Sequence, residues 1–151
     1  MNWQWSSFEE LTREQLLEIM KIRQAVFVVE QNCAYQDADD LDQVSWHLMG
    51  WHDTNNTRDL VAYLRVVLPG NKYPEPSIGR LLTKASVRGT GLGKALIREA
   101  IDRTASVYPH MPIRISAQRY LEKFYSGFGF KTISEPYEED GIPHIEMVRT
   151  I

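Results

Sequence analysis

An α/β domain with a mixed sheet is the fold this sequence predicts, on three observations. Strand-like and helix-like segments follow one another as strand, helices, three strands, helix, strand, helix and two strands. A glycine-rich turn, VRGTGLGKAL at 87–96, leads from a strand-like segment into an amphipathic helix. The 151 residues, 43% hydrophobic and 25% charged, suffice for one domain around one sizeable core.

The elements are read in order. WQWSSF alternates weakly and predicts a first strand. Thr12 and Gln15 have the spacing of a capping box, with Leu11 and Leu16 as a hydrophobic staple, so a helix starts there. Its pattern runs toward Phe27 and stops near Gln31, with a break on the way. Residues 32–45 are polar and acidic and predict a loop. WHLMGW and DLVAYLRVVL read as strands joined by the turn-rich DTNNTR, and SIGRLLT as a further strand after PGNKYPEP. After the glycine turn, Leu92, Leu96 and Ala100 share a helical face with Ile97 and Ile101 beside it. IRISA is a short strand. QRYLEKFYSGF sets Leu121, Phe124, Tyr125 and Phe128 at helical spacing. FKTIS and HIEMVRT close the chain as strands.

Several functional classes are argued against by composition. A net charge of −3 does not fit nucleic-acid binding driven by bulk charge. No apolar run approaches the length of a membrane span. MNWQWSSFEE lacks the basic and apolar regions of a signal peptide. Cys33 is the one cysteine, so no internal disulfide forms, and no histidine signature marks it as a nucleophile. His47 and His52 have no standard ligand spacing with their acidic neighbours, so no metal is expected. Together these features predict a cytoplasmic protein.

The glycine turn is the strongest chemical signal. It fails as a P-loop: Arg88 stands where the first glycine belongs, and Ala95 replaces the Ser or Thr that would hold magnesium. Its spacing from Gly89 is G-x-G-x-G, which also fails the dinucleotide fingerprint. Arg88, Gly91 and Gly93 fit [QR]-x-x-G-x-[GA]. Unpaired N–H groups and the dipole at a helix N-terminus attract phosphate, and glycine lets phosphate come close. Arg88 and Lys94 add charge-assisted contacts.

This turn resembles the acyl-CoA pyrophosphate loop of the GNAT acetyltransferases. AQRYLEKFYSGFGF resembles the family's next motif, in which a helix ends in Tyr-x-x-x-Gly-Phe, with Tyr125, Gly129 and Phe130 in register. AVFVVEQNCAYQDADDLD and YEEDGIPHIEM resemble the ElaA-type branch, so the likeness spans essentially the whole chain. Gln118 stands where many members have Asn, and Ala85 where many have Pro.

The resemblance implies a GNAT fold, a mixed and mostly antiparallel sheet flanked by helices in a single domain over 1–151. It implies direct transfer of an acetyl group from acetyl-CoA to an amine, without metal. The cofactor would lie along Leu81, Leu82 and Thr83, then on Arg88, Gly89, Thr90, Gly91, Leu92, Gly93 and Lys94, with Gln118, Phe124 and Tyr125 beside it. The Leu81 N–H would polarise the thioester carbonyl, and Tyr125 would be the general acid toward the leaving sulfur. Glu30, His47 and His144 are candidate bases, a water chain being the alternative. Glu30, Gln31, His47, Asp140 and His144 would line the acceptor side. The acidic run DADDLD at 37–42 reads as a solvated loop or as a lure for a cationic amine.

Two rival functions accompany this reading: a non-catalytic acyl-CoA sensor on the same fold, and an acyl-homoserine-lactone-type synthase, which shares the Arg23-x-x-x-Phe27 character. The expected partner is a small-molecule or peptide amine, with no nucleic acid and no membrane. A homodimer is compatible with the fold.

Overall fold

The computed structural model describes residues 1–151 throughout. Its strands are β1 (Asn2–Ser7), β2 (Ser45–Thr54), β3 (Thr57–Val67), β4 (Ser77–Thr83), β5 (Ile113–Gln118), β6 (Phe130–Thr132), β7 (Tyr137–Glu139) and β8 (Ile142–Arg149). Helices α1 (Arg13–Arg23), α2 (Leu92–Val107) and α3 (Glu122–Ser126) complete the fold. The sheet runs β1-β2-β3-β4-β5-β8-β6, with β7 also on β8. All neighbours are antiparallel except β4 and β5.

The α1 start follows its sequence signal. Thr12 Oγ1 accepts from the Gln15 N–H at 3.1 Å, and Gln15 Oε1 accepts from the Thr12 N–H at 3.0 Å. These bonds satisfy donors that a helix start leaves open. The break in the first helical region is a π-helical stretch, Gln24–Glu30. There the bonds widen by one residue: the Gln31 N–H reaches Val26 O at 3.2 Å and the Cys33 N–H reaches Val28 O at 3.1 Å.

The two faces of the sheet bury separate cores. Leu96, Ile97, Ala100 and Ile101 of α2 pack on Leu48, Ala62, Leu64 and Val66, and this core continues to Ile115, Ile145 and Met147. Ile19 and Ile22 of α1 and Val26 pack on Met49, Trp51 and Tyr63 on the opposite face. The period-2 alternation along β2 and β3 sorts these residues.

Three expectations were too simple. The segment QRYLEKFYSGF is not one helix: Gln118 ends β5, Arg119–Leu121 is a 3-10 turn, and α3 has five residues. Gly129, at φ +91°, turns the chain into β6. The loop at 32–45 contains a 3-10 turn, Asp40–Val44, capped by the Asp39 side chain. An unexpected strand, β7, forms a hairpin with β8 across Asp140-Gly141, both at positive φ, as a tight turn between strands requires.

Candidate active site

The site begins where the sheet opens. Parallel strands β4 and β5 are paired only at Ser77↔Arg114 and then diverge. Across β4, Tyr63 faces Leu82 while Arg65 faces Gly79, so β4 carries one extra residue at Arg80–Leu81. This bulge reverses the alternation. Ile78 and Leu81 pack toward the α2 core, whereas Leu82 joins the α1 core. Arg80 adopts φ +52°, a left-handed conformation that costs a residue with a Cβ about 1–2 kcal/mol.

Beyond the bulge the open edge is defined by its hydrogen bonds. The Lys84 N–H donates to Val61 O at 2.8 Å, so Lys84 faces β3. By alternation Leu82 also faces β3, and the backbone groups of Leu81 and Thr83 face the opening. The Arg88 side chain confirms the direction for Thr83, donating to Thr83 O from Nε at 3.1 Å and Nη2 at 2.9 Å. The same guanidinium pairs with Glu30, at the end of the π-helical stretch, with an Nη2–Oε2 distance of 3.1 Å. That hydrogen bond holds the Glu30 carboxyl below its ordinary pKa range.

β4 leads through the 3-10 turn Ala85–Val87 into the glycine turn. Gly89 and Gly91 lie at φ +82° and +83°, and an added Cβ on either would meet nothing within 4 Å. The concave side of the turn is thus open, and only glycine holds it without strain. Gly91 caps α2 without a side-chain bond, and the first helical N–H to find a backbone partner is that of Ala95, on Gly91 O. The N–H groups of Leu92, Gly93 and Lys94 remain for an anion. No acidic residue lies in the first helical turn. A hollow of about 380 Å³, lined by Val87, Thr90, Gly91 and Leu92 with Trp3 and His52, runs beside this turn.

Tyr125 stands on α3 and packs against the α2 core. Its ring meets Phe124 edge-on at 5.2 Å and Phe130 at 6.0 Å. Burial pushes its phenol up to about 12, so the proton stays on at neutral pH. Phe124 packs against the α2 core, and Gln118 ends β5 opposite His144 of β8. His144 is nearly buried. Its Nδ1 lies 2.8 Å from Ile142 O, and its Nε2 lies 3.2 Å from Glu139 Oε2. Both ring nitrogens thus face acceptors, a carbonyl at Nδ1 and a carboxylate at Nε2. Gln31 and Asp140 are exposed, at the ends of the π-helical stretch and of the β7–β8 hairpin respectively.

Within the acidic run 37–42, Asp40 is exposed, but Asp37, Asp39 and Asp42 are held in ion pairs. Asp37 and Asp42 are each 5% exposed. Arg23, fully buried, donates to Asp37 Oδ2 at 2.7 Å and to Asp42 Oδ1 at 2.6 Å. Arg65 donates to Asp39 Oδ1 at 2.6 Å and Asp42 Oδ1 at 2.8 Å. Arg80 sets Nε 2.9 Å from Asp37 Oδ1 and donates from Nη2 to Asp37 O at 3.0 Å. Three carboxylates thus balance three guanidiniums, as buried charges require. His47, expected on the acceptor side, is sealed in the same region. Its Nε2 donates to Asp42 O at 2.9 Å and its Nδ1 accepts from the Tyr63 hydroxyl at 2.7 Å. Burial lowers its pKa, so the ring is neutral and both nitrogens are used inside the protein.

Arg80 and Glu139 were missed by sequence reasoning. A positive φ at arginine has no sequence signature, and Glu139 lies on the unrecognised strand β7. No group of His, Cys, Asp and Glu side chains has the arrangement of a metal site, and no helix is long and apolar enough to cross a membrane.

Comparison with known proteins agrees with this geometry. Residues 52–151 match the acetyltransferase (GNAT) domain family. The chain is 45% identical to a UPF0039 protein of Synechocystis, over 98% of its own length and 94% of the relative's. It is 39% identical to protein ElaA of Escherichia coli, over 100% and 97%. A crystal structure of an acyl-CoA N-acyltransferase from Pseudomonas aeruginosa superposes with a TM-score of 0.92 at 37% identity, covering 99% of this chain and 100% of that one. A split strand with a free edge, running into a glycine turn at a helix start, is thus accompanied by full-length likeness, and the chain belongs to the GNAT family of acyltransferases, in the branch that includes ElaA.

Proposed function

We propose that this protein transfers an acetyl group from acetyl-CoA directly to an amine. The observation that carries the reading is the edge of β4 at Leu81 and Thr83, which no strand covers and which runs straight into the open glycine turn before α2. An acyl-CoA has the matching chemistry in the same order: a thioester carbonyl, two amides and a pyrophosphate.

The residues take the following parts. The N–H groups of Leu92, Gly93 and Lys94 hold the pyrophosphate, with charge from Lys94 and Arg88. The Thr83 N–H pairs with a pantetheine amide, its carbonyl being held by Arg88. The Leu81 N–H is aimed at the oxygen that gains charge as the amine attacks, an interaction typically worth about 3 kcal/mol. Tyr125 stays protonated and donates to the leaving sulfur. Glu30 is tied to Arg88 and His47 is enclosed, so the base is assigned to His144. Its Nε2 takes the proton of the amine, and Glu139 holds the resulting cation.

An acceptor screen with acetyl-CoA tests this reading, with free thiol as the readout. Transfer to amines such as polyamines, amino acids or peptide N-termini is the expected result. Tight acetyl-CoA binding without turnover on any amine would instead make the protein a sensor.

A further inference from the structure

We propose that Asp37 and Asp39 are positioning residues that act through Arg80: their grip on the guanidinium holds the β4 bulge in the shape that turns the Leu81 N–H into the opening. The inference rests on the acyl-CoA reading of that opening and adds what keeps it in shape.

The argument starts from the backbone. Arg80 is the residue immediately before Leu81, and its φ of +52° belongs to glycine or asparagine far more often than to arginine. Nothing local in the chain favours that conformation. Its side chain, however, lies against Asp37, with Nη2 donating to the Asp37 main-chain O at 3.0 Å, Nε 2.9 Å from Oδ1 as an ion pair, and Asp39 Oδ2 3.5 Å from Nη2. The Tyr35 ring covers the same guanidinium, with 5.8 Å from Cζ to the ring centroid. Asp37 is itself immobile, because Arg23 holds its other carboxylate oxygen at 2.7 Å. The chain from Arg23 through Asp37 to Arg80 therefore ties α1 to the bulge.

Arg80 is not needed to neutralise the cluster. Without it Asp37 keeps Arg23, Asp39 keeps Arg65, and Asp42 keeps both. What its loss removes is the tether on the left-handed residue. An alanine at position 80 would relax toward ordinary extended backbone, straighten the bulge and turn the Leu81 N–H away. A glycine would hold the same φ without any tether.

The test compares Arg80→Ala with Arg80→Gly, each checked for folding by circular dichroism. The readout is the infrared carbonyl stretch of bound acetyl-CoA carrying ¹³C at the thioester carbon, which needs no acceptor. Wild type should lower that frequency relative to free acetyl-CoA. Arg80→Ala should lose most of the shift and reduce kcat about tenfold or more, with near-normal acetyl-CoA affinity. Arg80→Gly should keep the shift, with kcat within about threefold of wild type. Asp37→Asn should behave like Arg80→Ala, and adding Arg80→Gly to it should restore the shift. Equal shifts in wild type and Arg80→Ala would overturn the proposal. So would loss of the shift in both Arg80 variants, which would mean that the guanidinium itself acts on the substrate. A wild-type protein that binds no acetyl-CoA, or binds it without any shift, would remove the underlying acyl-CoA reading instead.

Discussion

The Arg88 guanidinium joins two parts of the site that are distant in sequence, donating to the Thr83 carbonyl and to the Glu30 carboxylate at once. On the acyl-CoA reading proposed above, Glu30 would compete with an incoming pyrophosphate for the same cation. Glu30→Gln should tighten coenzyme A binding about twofold to fivefold, the range of an exposed ion pair, as read by calorimetry. His144→Ala should leave that affinity unchanged and lower kcat with a confirmed acceptor. A fall in kcat in Glu30→Gln, with coenzyme A affinity unaltered, would return Glu30 to the role of base.

Gly91 controls access to the N–H groups of α2. At φ +83° with open space beside it, it tolerates a side chain sterically but not conformationally. Gly91→Asp adds strain and a negative charge where phosphate would sit. Acetyl-CoA binding should be abolished while the folded far-ultraviolet spectrum persists, because both cores lie elsewhere. Unchanged affinity in the folded variant would remove the turn from the cofactor site.

Tyr125→Phe keeps the ring that packs on Phe124 and Phe130 and removes only the hydroxyl. The expected pattern is kcat lower by about 10²-fold, the low end for a general acid, with acetyl-CoA affinity near normal. Full kcat under conditions where chemistry limits the rate would exclude Tyr125 as the acid.

The buried ion cluster makes an acid-sensitivity prediction. Asp39 and Asp42 have pKa values lowered from the ordinary 3.8: burial opposes the shift, but the bonds to Arg65 and Arg23 outweigh it. Their contribution to stability is therefore complete above the unfolded value and is lost as pH falls through the lowered folded values, so the window lies below about pH 4. Asp42→Asn leaves Arg23 and Arg65 short of a partner. It should cost about 3–5 kcal/mol at pH 7 and lower Tm by on the order of 10 °C. In urea melts the gap to wild type should narrow as pH drops from 5 to 3, because the wild-type carboxylate then titrates and asparagine does not. A gap that stays constant over this range would mean that Asp42 is not held as an anion.

Local chemistry was legible in the sequence where a signal and its partner are close together. The Thr12–Gln15 capping box, the glycine turn and the α2 face are all set within a few residues, and each formed as its spacing implies. The ion cluster was not legible. Arg23 and Asp37 are separated by 14 positions, Asp37 and Arg80 by 43. In the sequence alone such aspartates look like a polar loop. The site divides along the same line. Its phosphate end follows from a motif, while the bulge at Arg80 and the His144–Glu139 pair depend on strands meeting in space.

The lone pairing of Ser77 with Arg114 gives the sheet a mechanical character of its own. Strands β1–β4 and β5–β8 are two wings joined at one rung, and past that rung no strand pairs with the facing edge of either wing. An extended molecule laid along β4 would supply the missing rungs and act as a keystone between the wings. The sheet would thus be completed by its guest, and binding would add the rungs that the fold itself lacks.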